Sequence, residues 1–101
     1  MKTEITVAAG HAEEFDTTNV LAMVSRLARA VGGVTQSAIG WGYWADGDIV
    51  LREPCVTYTV IHNENDPAHI FELIKFQDDI RASLEQDCIL VVDTEVAYSL
   101  Q

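Results

Sequence analysis

Residues Glu4 to Ala9 alternate between polar and apolar, with Ile5, Val7 and Ala9 on one face, and predict a first strand ending at Gly10. The period then changes. Val20, Met23, Val24, Leu27 and Val31 recur at spacings of three and four, which lines them up along one stripe of a helix. Asp16 is expected to cap its first amides, with Phe15 and Val20 in the two hydrophobic-staple positions. Gly32-Gly33 is expected to end it, with Arg26 and Arg29 near the C-terminus complementing the helix dipole.

The stretch Val34 to Trp44 reads as extended, with Thr35, Ser37, Ile39, Trp41 and Tyr43 on one face and Val34, Ala38 and Trp44 on the other. Ala45-Asp46-Gly47-Asp48 carries the Asp-Gly signal of a tight reversal, so Ile49 to Ile61 returns as the partner strand of a long hairpin. Pro54 cannot donate to a ladder, so a bulge or break is expected in the returning strand there. Asp66-Pro67 is a helix start, because Asp caps and proline at the first helical position loses only an amide that has no intrahelical partner. Ile70, Leu73, Phe76, Ile80 and Leu84 follow as its buried stripe, with Glu72, Lys75, Asp78, Asp79 and Arg81 mostly outward. Cys88, Leu90, Val92, Val96 and Tyr98 then alternate with Asp93 and Glu95, predicting a last strand with one buried face.

The order strand, helix, strand, strand, helix, strand, with right-handed crossovers, gives a ferredoxin-like βαββαβ arrangement of class α+β. Its four-stranded antiparallel sheet has the order 4-1-3-2, and both helices cover one face. The other face is left wet or open to a partner. Residues 1–101 are read as one domain, since two cores need roughly twice this length. Val, Ile, Leu and Phe make up 29 of the 101 residues, above the ~20% below which chains tend to stay disordered.

Charge narrows the partners. Sixteen acidic residues against six Lys and Arg leave a net charge of −10, which repels polyphosphate and attracts a basic protein surface. Direct nucleic-acid binding is therefore not expected. The chain has no apolar run of membrane-spanning length and no export signal, so the expectation is a cytoplasmic protein without membrane contact. Cys55 and Cys88 show neither a CxxC spacing nor a disulfide framework, and in a reducing compartment both are expected to be buried free thiols.

Gly33-Val34-Thr35, Gly40-Trp41, Gly47-Asp48-Ile49-Val50-Leu51-Arg52-Glu53 and Gln86-Asp87-Cys88-Ile89-Leu90-Val91-Val92-Asp93 form a pattern of glycine, tryptophan, glutamate and glutamine. Over the C-terminal two thirds, this pattern resembles a family of small bacterial domains of ferredoxin-like fold. The resemblance implies the fold and no activity. The N-terminal third, including Gly10-His11, departs from it.

Three histidines suggest a metal trio, but His11 follows the first strand while His62 ends the third, which places them at opposite rims. His62 and His69 can approach each other near Glu64 and Asp66, where they read as solvated loop residues. Neither cysteine has a base or a positive neighbourhood that would make it a nucleophile. His11, Glu13 and Glu14 offer acid-base groups near the Asp46–Asp48 turn but define no pocket. Catalytic residues, metal and cofactor are accordingly not assigned.

Trp41, Tyr43 and Trp44 on an edge strand, with glycines at 40 and 42, are the candidate binding cluster, since exposed rings anchor protein interfaces and stack on ligands. The expected function is that of a non-enzymatic module that self-associates and binds a basic protein. Where that partner handles nucleic acid, Asp46, Asp48, Glu53, Asp78 and Asp79 compete with phosphate and the module inhibits it. The alternative is a small-molecule binder or enzyme of the dimeric α+β barrel type, with a pocket lined by Trp41, Tyr43 and open-face residues.

Overall fold

Alternation along the first strand and the returning hairpin strand dictates which face is buried, and a computed structural model describes the result for residues 1–86 and 89–96. The elements are β1 (Lys2–Ala8), a 3-10 turn (Ala12–Asp16), α1 (Thr18–Val31), β2 (Thr35–Gln36), β3 (Gly40–Asp46), β4 (Ile49–Ile61), α2 (Pro67–Ser83) and β5 (Leu90–Thr94). The sheet is antiparallel. Its order is β5-β1-β4-β2, and β3 also pairs with β4. Cys55 pairs with Ala8 of β1 on one side and Gly40 of β3 on the other, so β3 continues the line of β2 along the same edge. Counting β2 and β3 as one interrupted strand, this is the predicted order.

Thr3, Ile5 and Val7 of β1 stand opposite Val60, Tyr58 and Val56 of β4 and are buried under the helices. Leu27 and Val20 of α1 and Leu73, Phe76 and Ile80 of α2 close the layer from above. Tyr58 meets Phe76 edge to face at 5.3 Å, the arrangement favoured by the ring quadrupoles. Burying each such large side chain contributes about 1.5–3 kcal/mol.

Several expectations are corrected. Thr17, not Asp16, caps α1: its hydroxyl accepts from the Val20 amide at 3.3 Å, while Asp16 belongs to the preceding 3-10 turn. Gly32 at φ 102 ends α1 as expected. Arg26 does not serve the helix end but forks onto Glu72 of α2 at 2.9 and 3.0 Å. That contact raises the guanidinium pKa and holds the Glu72 carboxyl below its usual range.

The irregularity expected at Pro54 lies elsewhere. β4 runs unbroken through Pro54, whose missing amide is tolerated at a register position opposite Trp41. The register instead steps between Gln36↔Tyr58 and Gly40↔Cys55, where residues 37–39 face only residues 56–57. The extra residue is a bulge. Ser37 repairs the ladder, its amide donating to Thr57 O and its hydroxyl accepting from Thr57 N, both at 2.9 Å.

The predicted buried stripe of the second helix holds at Leu73, Phe76, Ile80 and Leu84, and Ile70 alone is exposed. In β5 every residue is exposed. Its pairing sets Leu90 and Val92 beside Thr6 and Glu4 on the uncovered face, and Val91 and Asp93 beside Ile5 and Thr3 on the helix side. The even apolar positions thus point away from the core. Cys88 and Tyr98, assigned to the same strand by pattern, lie outside the described residues, and Cys55 is half-buried on the open face rather than in the core.

Candidate functional site

β4 outruns the sheet. Only Cys55–Ile61 pair with β1, so Ile49–Pro54 and β3 project beyond β1 as a two-stranded arm. Gly47 alone in the turn takes a positive φ, of 61°, as glycine in the first central position of a tight hairpin turn does. The molecule is accordingly elongated, 47 × 28 × 24 Å, with a radius of gyration of 14.3 Å against about 13 Å for a compact chain of this length.

The arm carries Trp41, Tyr43, Trp44, Ile49, Val50 and Leu51, all exposed, with Tyr43 at 65% and Val50 at 64%. The bulge decides how they face. Trp41 and Tyr43 pair with Pro54 and Arg52 on the helix side of the arm, whereas Trp44 pairs with Leu51 on the open-face side. The three aromatic residues therefore do not form one stacking cluster. Arg52 lies 3.8 Å from the Trp41 ring centroid, a cation–π contact that occupies that ring. The Trp44 indole folds back over Gly42, where an added Cβ would come within 2.5 Å of it. A side chain at Gly42 would therefore displace the indole.

The five predicted carboxylates are not gathered into one patch. Asp46 and Asp48 are at the arm tip, Glu53 is at its root opposite Gly42, and Asp78 and Asp79 are on α2 in the other layer. Asp79 pairs with Lys75 at 3.0 Å. Pattern reading missed Leu90 and Val92 as outward-facing groups, and it missed Glu85, which takes the left-handed φ of 54° at the end of α2. Glycine is usual at that position, so its absence after the helix was the available signal.

At the opposite rim, His62 is not a solvated loop residue but is 8% exposed. The Thr3 hydroxyl donates to Asp93 at 2.5 Å and so must accept from His62 Nε2 at 2.8 Å, which fixes the proton on Nε2. Nδ1 is buried without a partner among the described residues. Burial first, then the N-terminal ammonium, lowers the His62 pKa below 6.5. Its neutral form is therefore the native one, and its contribution to stability is complete above pH 6.5 and is lost as pH falls toward the native value. Urea unfolding of wild type and His62→Gln should show a wild-type loss between pH 7 and pH 5 that exceeds the variant's; parallel profiles would refute the linkage.

His69 accepts from the Asn63 amide through Nδ1 at 3.1 Å and faces Asp66 through Nε2 at 3.5 Å, close to His62 as expected. His11 precedes the 3-10 turn at the other end of β1. Among the described residues no group of three or more His, Cys, Asp or Glu is placed to hold a metal ion, and no helix is long and apolar enough to cross a membrane.

The fold has counterparts of known structure. The chain superposes on the divalent cation tolerance protein CutA1 of Thermus thermophilus with a TM-score of 0.57 at 10% identity, covering 99% of this chain and 88% of that one. For the periplasmic divalent cation tolerance protein CutA of Archaeoglobus fulgidus the values are 0.60, 14%, 97% and 88%. For the divalent ion tolerance protein CutA1 of Ehrlichia chaffeensis they are 0.59, 11%, 96% and 84%. At these identities the likeness establishes the fold. No protein-family model and no curated protein sequence matches the chain.

Proposed function

We propose that this chain is a non-enzymatic module that assembles with copies of itself through the hairpin arm and offers its acidic exterior to a basic protein. The observation that carries this is the arm: six large apolar side chains on two strands that project past β1. An apolar edge strand of this length pairs readily with another chain, and soluble proteins normally cover it. A second copy suits it, since the arm is mostly apolar between its root and the acids of its tip and its outer strand has backbone groups directed outward.

The charge of −10 then steers a basic partner to the assembled surface. Where that partner handles nucleic acid, Asp46 and Asp48 at the arm tip are the groups placed to compete with phosphate. A part in divalent cation tolerance, exercised through such an assembly, is the physiological role we attach to the module by its likeness in fold to CutA proteins.

Sedimentation equilibrium over a salt series tests the reading. The expected mass is a multiple of 11.2 kDa, unchanged up to about 1 M salt, where the screening length is only ~3 Å. Capture of a lysine-rich protein should weaken steeply over the same range. A monomer at micromolar concentration would sink the self-association, and salt-independent capture would sink charge-led partner binding.

A further inference from the structure

We propose that the hollow where the arm joins the open sheet face binds a small organic cation, an alkyl- or arylammonium compound. The hollow, of about 590 Å³, is lined by Thr6 and Ala8 of β1, Trp44 and Glu53 of the arm root, Glu85 and Gln86 after α2, and Ile89 and Leu90 entering β5. Its size is that of an ordinary small-molecule site. Its chemistry is divided. Ala8, Ile89, Leu90 and the Trp44 indole form an apolar wall, while Glu53 and Glu85 bring two carboxylates to the same space.

The polar inventory is one-sided. Gln86 donates one N–H of its amide to Leu84 O at 3.2 Å and keeps its side-chain oxygen as an acceptor, and the Thr6 hydroxyl is engaged with Thr57 at 2.8 Å. No Lys or Arg lines the hollow, and neither Glu53 nor Glu85 has an ion pair among the described residues. Such a site sets two carboxylates against no positive charge. An ammonium supplies donors and charge together, and its carbon skeleton would cover the apolar wall.

The position of Trp44 singles out a cation of this kind. Its ring is folded over Gly42, the direct cross-strand partner of Glu53, so the indole and a carboxylate border the same space. A cation held against a ring and a carboxylate gains from both. The carboxylates belong to no group of three donors placed for a metal ion among the described residues, and a bare ion would leave the apolar wall uncovered.

The test uses the Trp41→Phe protein, in which Trp44 is the sole tryptophan, titrated with phenethylammonium chloride and, separately, with neutral 2-phenylethanol. A saturable change in Trp44 fluorescence is expected with the ammonium, with binding about tenfold weaker for the alcohol and about tenfold weaker for the ammonium after Glu53→Gln. Gly42→Ala should abolish the response by displacing the ring, with circular dichroism confirming the fold. Equal binding of the alcohol, indifference to Glu53→Gln, or equal displacement by sodium and phenethylammonium at matched ionic strength would overturn the proposal. Trp44 also belongs to the arm, so mass measured on the same samples with and without phenethylammonium separates binding at the hollow from a change in self-association.

Discussion

Phe15→Ala is expected to lower the free energy of unfolding by about 3–5 kcal/mol, the range for removing a buried phenylalanine. Phe15 is completely buried and is the one buried residue of the 3-10 turn that joins β1 to α1. It fills the core where α1 and β4 meet that turn. Capping of α1 by Thr17 fixes the backbone beside it, so the surroundings cannot easily collapse into the space. Against a total stability of about 5–15 kcal/mol for a domain of this kind, the variant approaches unfolding at ambient temperature. Phe15→Leu should retain most of the stability. Leu21→Ala, on the exposed side of α1, should change stability by no more than ~0.5 kcal/mol. Urea denaturation decides the matter: a loss below about 1 kcal/mol for Phe15→Ala would mean that the core is not closed at this end.

The double substitution Val50→Lys and Leu51→Lys is expected to weaken self-association by at least about a hundredfold. Val50 and Leu51 point to opposite faces of the arm, and both are exposed in the single chain. Either face would therefore meet an unpaired ammonium on assembly. Leaving one such charge unpaired in an interface costs about 3 kcal/mol or more, which is two orders of magnitude in affinity. The mass should fall to 11.2 kDa, with the circular dichroism spectrum retained because neither residue contributes to the core. An unchanged mass would exclude the arm as the contact. A folded monomer from this variant, beside a poorly folded Phe15→Ala chain, would separate the two layers of organisation.

Much of the fold was legible because its signals are local. Asp66-Pro67 starts α2 as expected, with the Asp66 carboxylate accepting from the Ala68 amide at 2.9 Å. Gly32 and Gly47 take positive φ where pattern reading placed a helix end and a turn. The errors share a cause. Asp16 and Thr17 are both competent caps, and choosing between them required the 3-10 turn that packing of Phe15 imposes. The opposite facing of Trp41 and Trp44 follows from the alternation, but the bulge at residues 37–39 leaves no mark in composition, and it puts Thr35 and Trp41, expected on one face, on opposite sides of the sheet.

The candidate site was less legible for the same reason. Trp41, Tyr43 and Trp44 stand out as residue types, but whether they act together depends on register, which is a property of two strands. Leu90 and Val92 looked like core because an edge strand on an open sheet carries the same alternation whichever face is covered. His62 looked like a loop residue, since nothing adjacent to it announces that Thr3 and Asp93 close over it from β1 and β5.

The amino-acid order by itself determined the two helices and the strands around them, most of their ends, the acidic field and the presence of unspent aromatic residues, because these follow from periodicity, backbone freedom and summed charge. The 3-10 turn and the split of the second strand did not follow from it. Only the tertiary structure decided which apolar faces remain uncovered, how far the arm projects and which carboxylates share a hollow with Trp44. Those outcomes depend on strand pairing between residues distant in the chain, where one extra residue reverses every side chain beyond it.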